Sequence, residues 1–579
     1  MEIIDIRNIL LDNSKIASVV CYKDKRYMDI SYPIFVSCEL IVADNNIPIY
    51  IGIPTKWDME LVDFYIENYK EFPYMPHIDT KGKICLYELE GVLIDGDIEG
   101  IINQCIHKAI IIISEGLSGS NKGDFIDEFS LYWCQFSNIR CIQCDVPSEN
   151  KTQVIKYVEN VVERGKKEKY VTYIEKNKKS NLFASYNSEA FKLWNKSGTQ
   201  KNGGYICLKP EEYIYPPDAR NGFDITYVNK LMSYIPKKKM SLVLSKMSNS
   251  KLLIFCIIQP NGVENYIGVF LKNVCVQEDG ELYKIIKTSS TEVYPLSVHR
   301  IDKNYLMNRV KNDRKTFAGR KWLVVGCGSI GGYLVNEIVK AGADKITLVD
   351  NDILSGENIY RHLLGIEYVG QYKAEAITKY IGKNMPEVKM IPYDEDIYDL
   401  LEDENIQLDD FDIIVSATGN HNVNRWLNRL MHDKKYAIPV IYVWNEPLDL
   451  GCHVMVVNMA KQGCYECLFD RNGENEELFD KIAYCAPGQN ITKNVMGCGN
   501  AFIPYASTVS LKSTALCMDI VSAVIDGRCD KNVIVSMKGS GYYFSQTGYE
   551  VSEKFLNQND IMMVQEGEKF SKKNCELCS

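Results

Sequence analysis

The chain lacks a basic, apolar leader, a membrane-length hydrophobic run and a surplus of positive charge. Its opening residues, MEIIDIRNIL, carry acids where a secretory leader has lysine or arginine. The longest aliphatic run, AIIIIS from Ala109, is far shorter than the roughly 20 residues that span a bilayer. With 66 Lys and Arg against 76 Asp and Glu, the net charge is −10, which argues against a nucleic-acid-coating surface. The short basic runs PKKKM (236–240) and ERGKKEKY (163–170) read as solvated faces or loops. Internal repeats and low-complexity tracts are missing as well. The expectation is a cytoplasmic protein with no membrane or nucleic-acid partner.

Thiols are plentiful. Twenty cysteines in a chain without an export signal are expected to be mostly reduced, and so available for metal binding or catalysis. At 579 residues, 46% hydrophobic and 25% charged, the chain has material for two to four buried cores. Three textures divide it. Residues 1–150 include two β-rich runs joined at Asp44-Asn45-Asn46, a hairpin signal. Residues 151–300 mix helical segments with the short apolar runs SLVLSK, KLLIFCIIQ and YIGVFLKNV, read as strands, and offer no assignable motif. From 301 the pattern alternates α and β.

The segment KWLVVGCGSIGGYLVNEIVKAGADKITLVDND carries the clearest chemistry. A buried-strand run leads into Gly326, Gly328 and Gly331, a helix follows, and a second strand ends at Asp350. Glycines in this strand-turn-helix setting let backbone N–H groups approach phosphate, and the terminal acid can accept hydrogen bonds from ribose hydroxyls. Downstream, Asn358, Arg361 and Lys373 bring an amide and two cations towards the nucleotide. Such clamps suit a triphosphate being cleaved, because charge develops on the pyrophosphate. ATP is favoured over NAD.

Residues of roughly 315–579 resemble the ThiF/MoeB and ubiquitin-activating superfamily of adenylyltransferases, on the glycine loop, LVDND, Asn358, Arg361, Lys373 and IIVSATGNHNVNRWLN. That resemblance implies activation of a protein C-terminal carboxylate as an acyl-adenylate. The family usually has an aspartate, thought to hold magnesium, where this chain has Gly419; Asp352 or Asp412 could substitute. The two CxxC pairs, Cys464/Cys467 and Cys575/Cys578, supply the four thiolates of a closed structural zinc site. RCIQC (Cys141, Cys144) has no second pair and reads as core. Related activating enzymes carry their thioester-forming cysteine between the zinc pairs; glycine-flanked Cys498 is the candidate here and Cys485 its rival. A family arginine supplied by a second protomer implies a homodimer, with Arg309 or Arg300 as candidates.

MPHIDTKGKICLYEL resembles the active-site segment of ubiquitin-conjugating enzymes, with Cys85 as the catalytic thiol, Met75 where the family has His, and His77 where it has Asn. DEFSLYWCQ (127–135) resembles that fold's closing segment, so the likeness covers about residues 1–150. A thiol needs exposure more than a dedicated base to accept an acyl group by exchange; His77 could donate a hydrogen bond as the family Asn does, or be structural. The expected fold is multidomain, α/β and α+β: a ubiquitin-conjugating-like domain at 1–150, a middle α/β domain of unknown role at 151–300, and a Rossmann-like ThiF/MoeB adenylation domain with a zinc site at 301–579. This architecture is similar to the fused ubiquitin-transferase-like proteins of anti-phage CBASS operons. It implies ATP, zinc and magnesium as cofactors, the C-terminus of a cGAS/DncV-like nucleotidyltransferase or a ubiquitin-like protein as substrate, and target-protein lysines as acceptors. A sulfur-carrier adenylyltransferase, which leaves Cys85 unused, and a non-catalytic ATP-binding scaffold are the alternatives.

Overall fold

The computed structural model describes residues 2–87, 94, 96–147, 149–160, 181–185, 200–247, 251–280, 282–308, 317–471, 477–489, 491–494, 501–502 and 504–578. Two compact units emerge, Met1–Leu306 and Met307–Ser579.

The first unit begins with helix α1 (Ile3–Asp12) and a four-stranded antiparallel meander, β1 (Ile16–Tyr27), β2 (Ile30–Val42), β3 (Asn45–Ile53) and β4 (Asp63–Ile66). The expected hairpin is β2–β3. Its two turn residues, Ala43 and Asp44, both have positive φ (45° and 65°), the conformation whose twist matches paired strands. Helix α2 (Ile98–Ser118) is capped by Asp97, ends at left-handed Gly119, and buries Ile102, Cys105, Ile106, Ala109 and Ile113 as one stripe against the sheet. The AIIIIS run is thus the inner face of a core helix. Two short helices follow, α3 (Asp124–Asp127) and α4 (Phe129–Trp133).

The same unit contains a closed barrel built from β5 (Arg140–Asp145), β6 (Gln153–Asn160), β7 (Asn181–Ser185), β8 (Lys201–Leu208), β9 (Lys251–Ile258), β10 (Glu264–Lys272) and β13 (Glu292–Arg300), in the order β10-β13-β5-β7-β6-β8-β9. β11 (Cys275–Asp279) and β12 (Leu282–Ile286) form a separate hairpin. The barrel mixes parallel pairs (β13/β5, β5/β7, β8/β9) with antiparallel ones (β10/β13, β7/β6, β6/β8, β9/β10). The expected middle domain is therefore a mixed barrel with helices α5 (Ile225–Ser233) and α6 (Lys237–Leu244), and its first strand lies before residue 150. KLLIFCIIQ and YIGVFLKNV supply β9 and β10. SLVLSK does not form a strand: Ser241–Leu244 closes α6, because Met240 and Val243, three apart, face the core while the lysines of PKKKM stay at the surface or, for Lys237, pair with Glu278. Of the RCIQC thiols, Cys144 is buried as expected and Cys141 is exposed, since alternate residues of β5 face opposite ways.

The second unit is an eight-stranded sheet ordered β16-β15-β14-β17-β18-β19-β20-β21, formed by β14 (Lys321–Val325), β15 (Lys345–Val349), β16 (Lys389–Tyr393), β17 (Ile413–Ser416), β18 (Val440–Asn445), β19 (Gly451–Val457), β20 (Val533–Lys538) and β21 (Met562–Glu566). The first five are parallel and the rest antiparallel. Helices α7 (Ser329–Lys340), α8 (Lys373–Asn384), α9 (Ile397–Glu402), α10 (His421–Asp433) and α11 (Ser507–Asp526) cover it. Helix α11 is long and apolar enough to cross a bilayer, but Val509, Leu516, Cys517, Val521 and Ile525 are buried in the core shared with α7 and the sheet. Strand order reverses between β14 and β17, and ligands of open parallel sheets bind beyond the strand ends at such a point.

Candidate active sites

The glycine loop leaves β14 at that reversal. Gly326 has φ +91°, and a Cβ there would lie 2.8 Å from the backbone of Ala417 and Thr418; a Cβ on Gly331 would lie 1.9 Å from the Gly326 carbonyl oxygen. These two glycines are required by close backbone approach, and Gly328 is open to the cavity. The cavity, about 540 Å³, is lined by Gly326, Gly328, Asp350, Asp352, Asn358, Arg361 and Lys373, so the expected nucleotide residues converge, with Gly331 packed behind them.

Its electrostatics follow from burial. Asp350 accepts hydrogen bonds from the N–H groups of Cys327 (2.6 Å) and Asp352 (2.9 Å). Burial raises its pKa; Lys373 and those two N–H groups pull the other way. Lys373 opens α8, is buried, and places Nζ 2.7 Å from Asp352 Oδ2. Asn358 Oδ1 accepts from the Ser355 N–H at 3.2 Å, fixing the turn that leads to Arg361.

Other groups in the cavity wall escaped the sequence reading. Tyr505 shares a 2.7 Å hydrogen bond with Ser329 at the start of α7, and its ring lies 5.1 Å from the Arg361 guanidinium carbon. His362 accepts from Leu364 N–H at Nδ1 (3.0 Å), which leaves Nε2–H to donate to the Cys327 carbonyl (2.8 Å) and hold the glycine loop. Glu395 and Asp396 add acids to the wall. Asp412 does not reach the cavity: its carboxylate accepts from Lys321 N–H (2.8 Å), at the opposite end of β14 from the glycine loop. Its proposed substitution for an acid at Gly419 therefore falls, whereas Asp352 lines the site.

Cys498 lies outside the described residues, as does Arg309. Arg300 makes a two-point contact with Asp302 (2.8 and 2.7 Å). Cys485 is half-buried, receives a hydrogen bond from Gln489 Nε2 (3.4 Å), and has its thiol pushed up to about 11 by burial and by Glu446. Cys464, Cys467, Cys575 and Cys578 meet with all four sulfurs within 4.8 Å of one another and adjacent pairs at 3.4–3.8 Å. Zn–S bonds of about 2.3 Å in a tetrahedron need S–S edges near ~3.8 Å, so the donor set fits zinc.

In the first unit, Cys85 is exposed beside a tight loop. Asp79 accepts the N–H groups of Lys81 and Lys83, and Gly82 has φ +87°, where a Cβ would meet the Ile66 carbonyl at 2.6 Å. The Cys85 N–H donates to the His77 carbonyl (2.7 Å). His77 has φ +60°, the left-handed region that Asn, Asp and His enter more often than other non-glycine residues. Its Nε2 lies 2.9 Å from Asp124 and its Nδ1 3.4 Å from Glu128, while its backbone N–H donates to the Tyr132 hydroxyl (2.8 Å), which donates to Glu128 (2.7 Å). Met75 is fully buried against Gly116 of α2, where a Cβ would meet its sulfur at 2.7 Å. Cys85, His77, Lys83, Glu115, Asp124, Glu128 and Tyr132 line a cavity of about 630 Å³.

Comparisons with known proteins agree with this division. Residues 303–550 match the ThiF family and residues 18–141 match Prokaryotic E2 family B. An ATP-dependent ubiquitin transferase-like protein Cap2 of Pseudomonas aeruginosa is 25% identical over 506 residues, covering 84% of this chain and 86% of its own; a Cap2 of Escherichia coli is 22% identical, covering 82% and 84%. The crystal structure of E. coli MccB with MccA-N7isoASN shares 19% identity over 45% of this chain and 67% of its own, with a TM-score of 0.32, too low to bear on the fold. With matches to Prokaryotic E2 family B and to the ThiF family on one polypeptide, the chain is similar over most of its length to these Cap2 proteins, and it is an adenylyltransferase and conjugating enzyme of the ubiquitin-transferase-like kind.

Proposed function

We propose that this enzyme activates the C-terminal carboxylate of a cGAS/DncV-like nucleotidyltransferase and conjugates it to lysine amines in CBASS anti-phage defence, acting in the cytoplasm as a homodimer. The observation that carries the reading is the presence on one chain of a glycine-walled cavity with Arg361 and Lys373 and a second cavity with exposed Cys85.

ATP enters the first cavity. Gly326 and Gly328 admit its phosphates to backbone N–H groups, and Asp350, whose oxygens keep lone pairs beyond those used by Cys327 and Asp352, takes ribose hydroxyls. A carboxylate oxygen of the partner attacks the α-phosphorus, the bond to pyrophosphate breaks, and Arg361 and Lys373 take up the developing negative charge. Asp352 would hold the magnesium that accompanies the phosphates, which would supply further positive charge to the pyrophosphate. The Cys498 thiolate then attacks the acyl carbon and AMP leaves. Cys498 is preferred to Cys485 because a thiol raised to about 11 is scarcely ionised at neutral pH. Exchange with the Cys85 thiolate moves the acyl group on, Cys498 leaves as thiolate, and a lysine amine displaces Cys85 to give an amide and release its proton. His77, whose ring nitrogens both face carboxylates, serves this site by fixing the loop beside Cys85. Cys464, Cys467, Cys575 and Cys578 would hold a zinc ion, which would tie the C-terminal tail to the rest of the second unit.

The test is ATP–pyrophosphate exchange with the nucleotidyltransferase as substrate. Exchange that requires its intact C-terminus, followed by a lysine-linked adduct, supports the reading; exchange driven instead by a sulfur-carrier protein, without any lysine adduct, overturns it.

A further inference from the structure

The barrel has no task in the three acyl transfers, yet its side chains hold the two chain segments that lead into the Cys85 cavity, residues 69–77 and 124–133. On one side, Arg220 extends from the turn Ala219–Asn221 with its side chain only 8% exposed. Asp218 grips it from one side, accepting from Nε (2.9 Å) and Nη2 (2.7 Å). Nη1 then donates to the carbonyls of Tyr69 (2.8 Å) and Phe72 (3.1 Å), at the C-terminal end of a short helical turn where the Tyr69 carbonyl also accepts the Phe72 N–H (3.1 Å). The guanidinium also lies against the rings of Tyr69 and Tyr74, at 4.6 and 5.3 Å. The restraint continues along the chain: the Tyr69 hydroxyl accepts the Met75 N–H (2.9 Å), and two residues on, the His77 carbonyl holds the Cys85 N–H.

On the other side, Asn265 of β10, itself buried and held by Gln259 (2.8 Å), donates to the Ile126 carbonyl of α3 (2.8 Å). Trp133 of α4 donates to the Leu296 carbonyl of β13 (2.9 Å), and Phe129, Trp133 and Phe136 belong to the barrel's core. This segment carries Asp124, Glu128 and Tyr132, which hold His77. The two segments meet where Tyr74 stacks on Phe125, 5.0 Å between centroids.

We infer that the barrel is the frame of the conjugating site, and that Arg220 is a positioning residue that sets the Tyr69–Met75 segment and, through it, the loop presenting Cys85. The inference rests on Cys85 being the acyl-accepting thiol. Arginine suits the task because a planar fork can hold a carboxylate and two carbonyls at once, which a lysine ammonium cannot do with the same geometry. The Asn265 contact is a second, independent support on the opposite side.

The experiment uses the full chain and three variants, Arg220→Met, Arg220→Lys and Asn265→Ala. Hydrogen exchange at the amides of Met75, His77 and Cys85 is measured together with the rate at which iodoacetamide alkylates Cys85, neither of which needs turnover. Arg220→Met is expected to speed exchange at these amides by tenfold or more and to change the alkylation rate. Arg220→Lys is expected to restore part of both, and Asn265→Ala to loosen residues 124–128 first. In conjugation assays, kcat for discharge of Cys85 to lysine falls about tenfold while the amine concentration at half-maximal rate and ATP–pyrophosphate exchange stay at wild-type values. Wild-type protection, alkylation and discharge in a folded Arg220→Met chain would overturn the inference. A wild-type chain that never forms an adduct at Cys85 would refute the acyl-acceptor assignment, and the exchange and alkylation data would still decide whether Arg220 positions the Cys85 loop.

Discussion

Replacing Lys373 by methionine keeps the stem that packs at the start of α8 and removes only the ammonium. Lys373 is buried and Asp352, with which it pairs, is 67% exposed, so losing the pair costs at most about 1 kcal/mol of stability and the second unit stays folded. Catalysis loses far more. Removing one preorganised donor from charge developing in a transition state typically costs a factor of ~10² to 10³ in rate, or about 3–4 kcal/mol. A second effect has a definite sign. Burial raises the pKa of Asp350 and Lys373 pulls it down, so deleting Lys373 lifts it further. Asp350 accepts two N–H bonds as a carboxylate, and the acidic limb of the pH–rate profile is expected to move to higher pH in Lys373→Met. The assay is partner-dependent ATP–pyrophosphate exchange from pH 5.5 to 9, with the thermal midpoint of each chain measured in parallel. A rate within threefold of wild type and an unmoved acidic limb would refute the assignment of Lys373 to the phosphates.

Asp480 is partly exposed by residue but its Oδ2 is buried with no hydrogen-bond partner among the described residues, and its pKa is raised from 3.8 to about 7, chiefly by burial. Because the folded form holds the proton more tightly, this contribution to stability is complete below about pH 4 and is lost as pH rises towards 7, by roughly 4 kcal/mol at ~1.4 kcal/mol per pKa unit; Asp480→Asn should raise the thermal midpoint at pH 8 and leave it unchanged at pH 4, and equal midpoints at pH 8 would contradict this. Gly331→Ala places a Cβ 1.9 Å from a backbone oxygen and should abolish binding of a non-hydrolysable ATP analogue while Cys85 alkylation stays normal, so wild-type nucleotide affinity would falsify the glycine assignment. The purified chain should hold one zinc, and Cys575→Ser with Cys578→Ser should lose both the metal and much of the second unit's stability, since such sites supply on the order of 10 kcal/mol; zinc-free wild-type protein, prepared without chelator, would remove the metal from the account.

Features encoded by local spacing were readable in the sequence. The glycine loop, Asp350, Asn358, Arg361 and Lys373 fall within 50 residues and need only a strand, a turn and two helices to meet. Each CxxC pair announces itself by its own spacing, although 111 residues separate Cys464 from Cys575. Features made by distant segments were not. The partners of His77 lie 47 and 51 residues away, and no periodicity marks Asp124 or Glu128 as facing it. Arg220 reaches carbonyls about 150 residues upstream, and a carbonyl has no sequence signature. SLVLSK was ambiguous because a short apolar run fits a buried strand or the end of a helix, and only packing against the barrel decides. Asp412 and Asp352 look alike in sequence, but opposite ends of the parallel sheet separate them.

The central claim, that an acyl group activated in the ThiF domain is carried by Cys85 before it reaches a lysine, is tested most directly in a chain with Cys85→Lys. Incubated with ATP and the nucleotidyltransferase, this chain is expected to form an amide between the partner's C-terminus and position 85, stable to thiol and seen by peptide mapping, while wild type gives a thiol-labile adduct at Cys85. Normal lysine conjugation by Cys85→Ala, with nothing trapped at position 85 in Cys85→Lys, would contradict it.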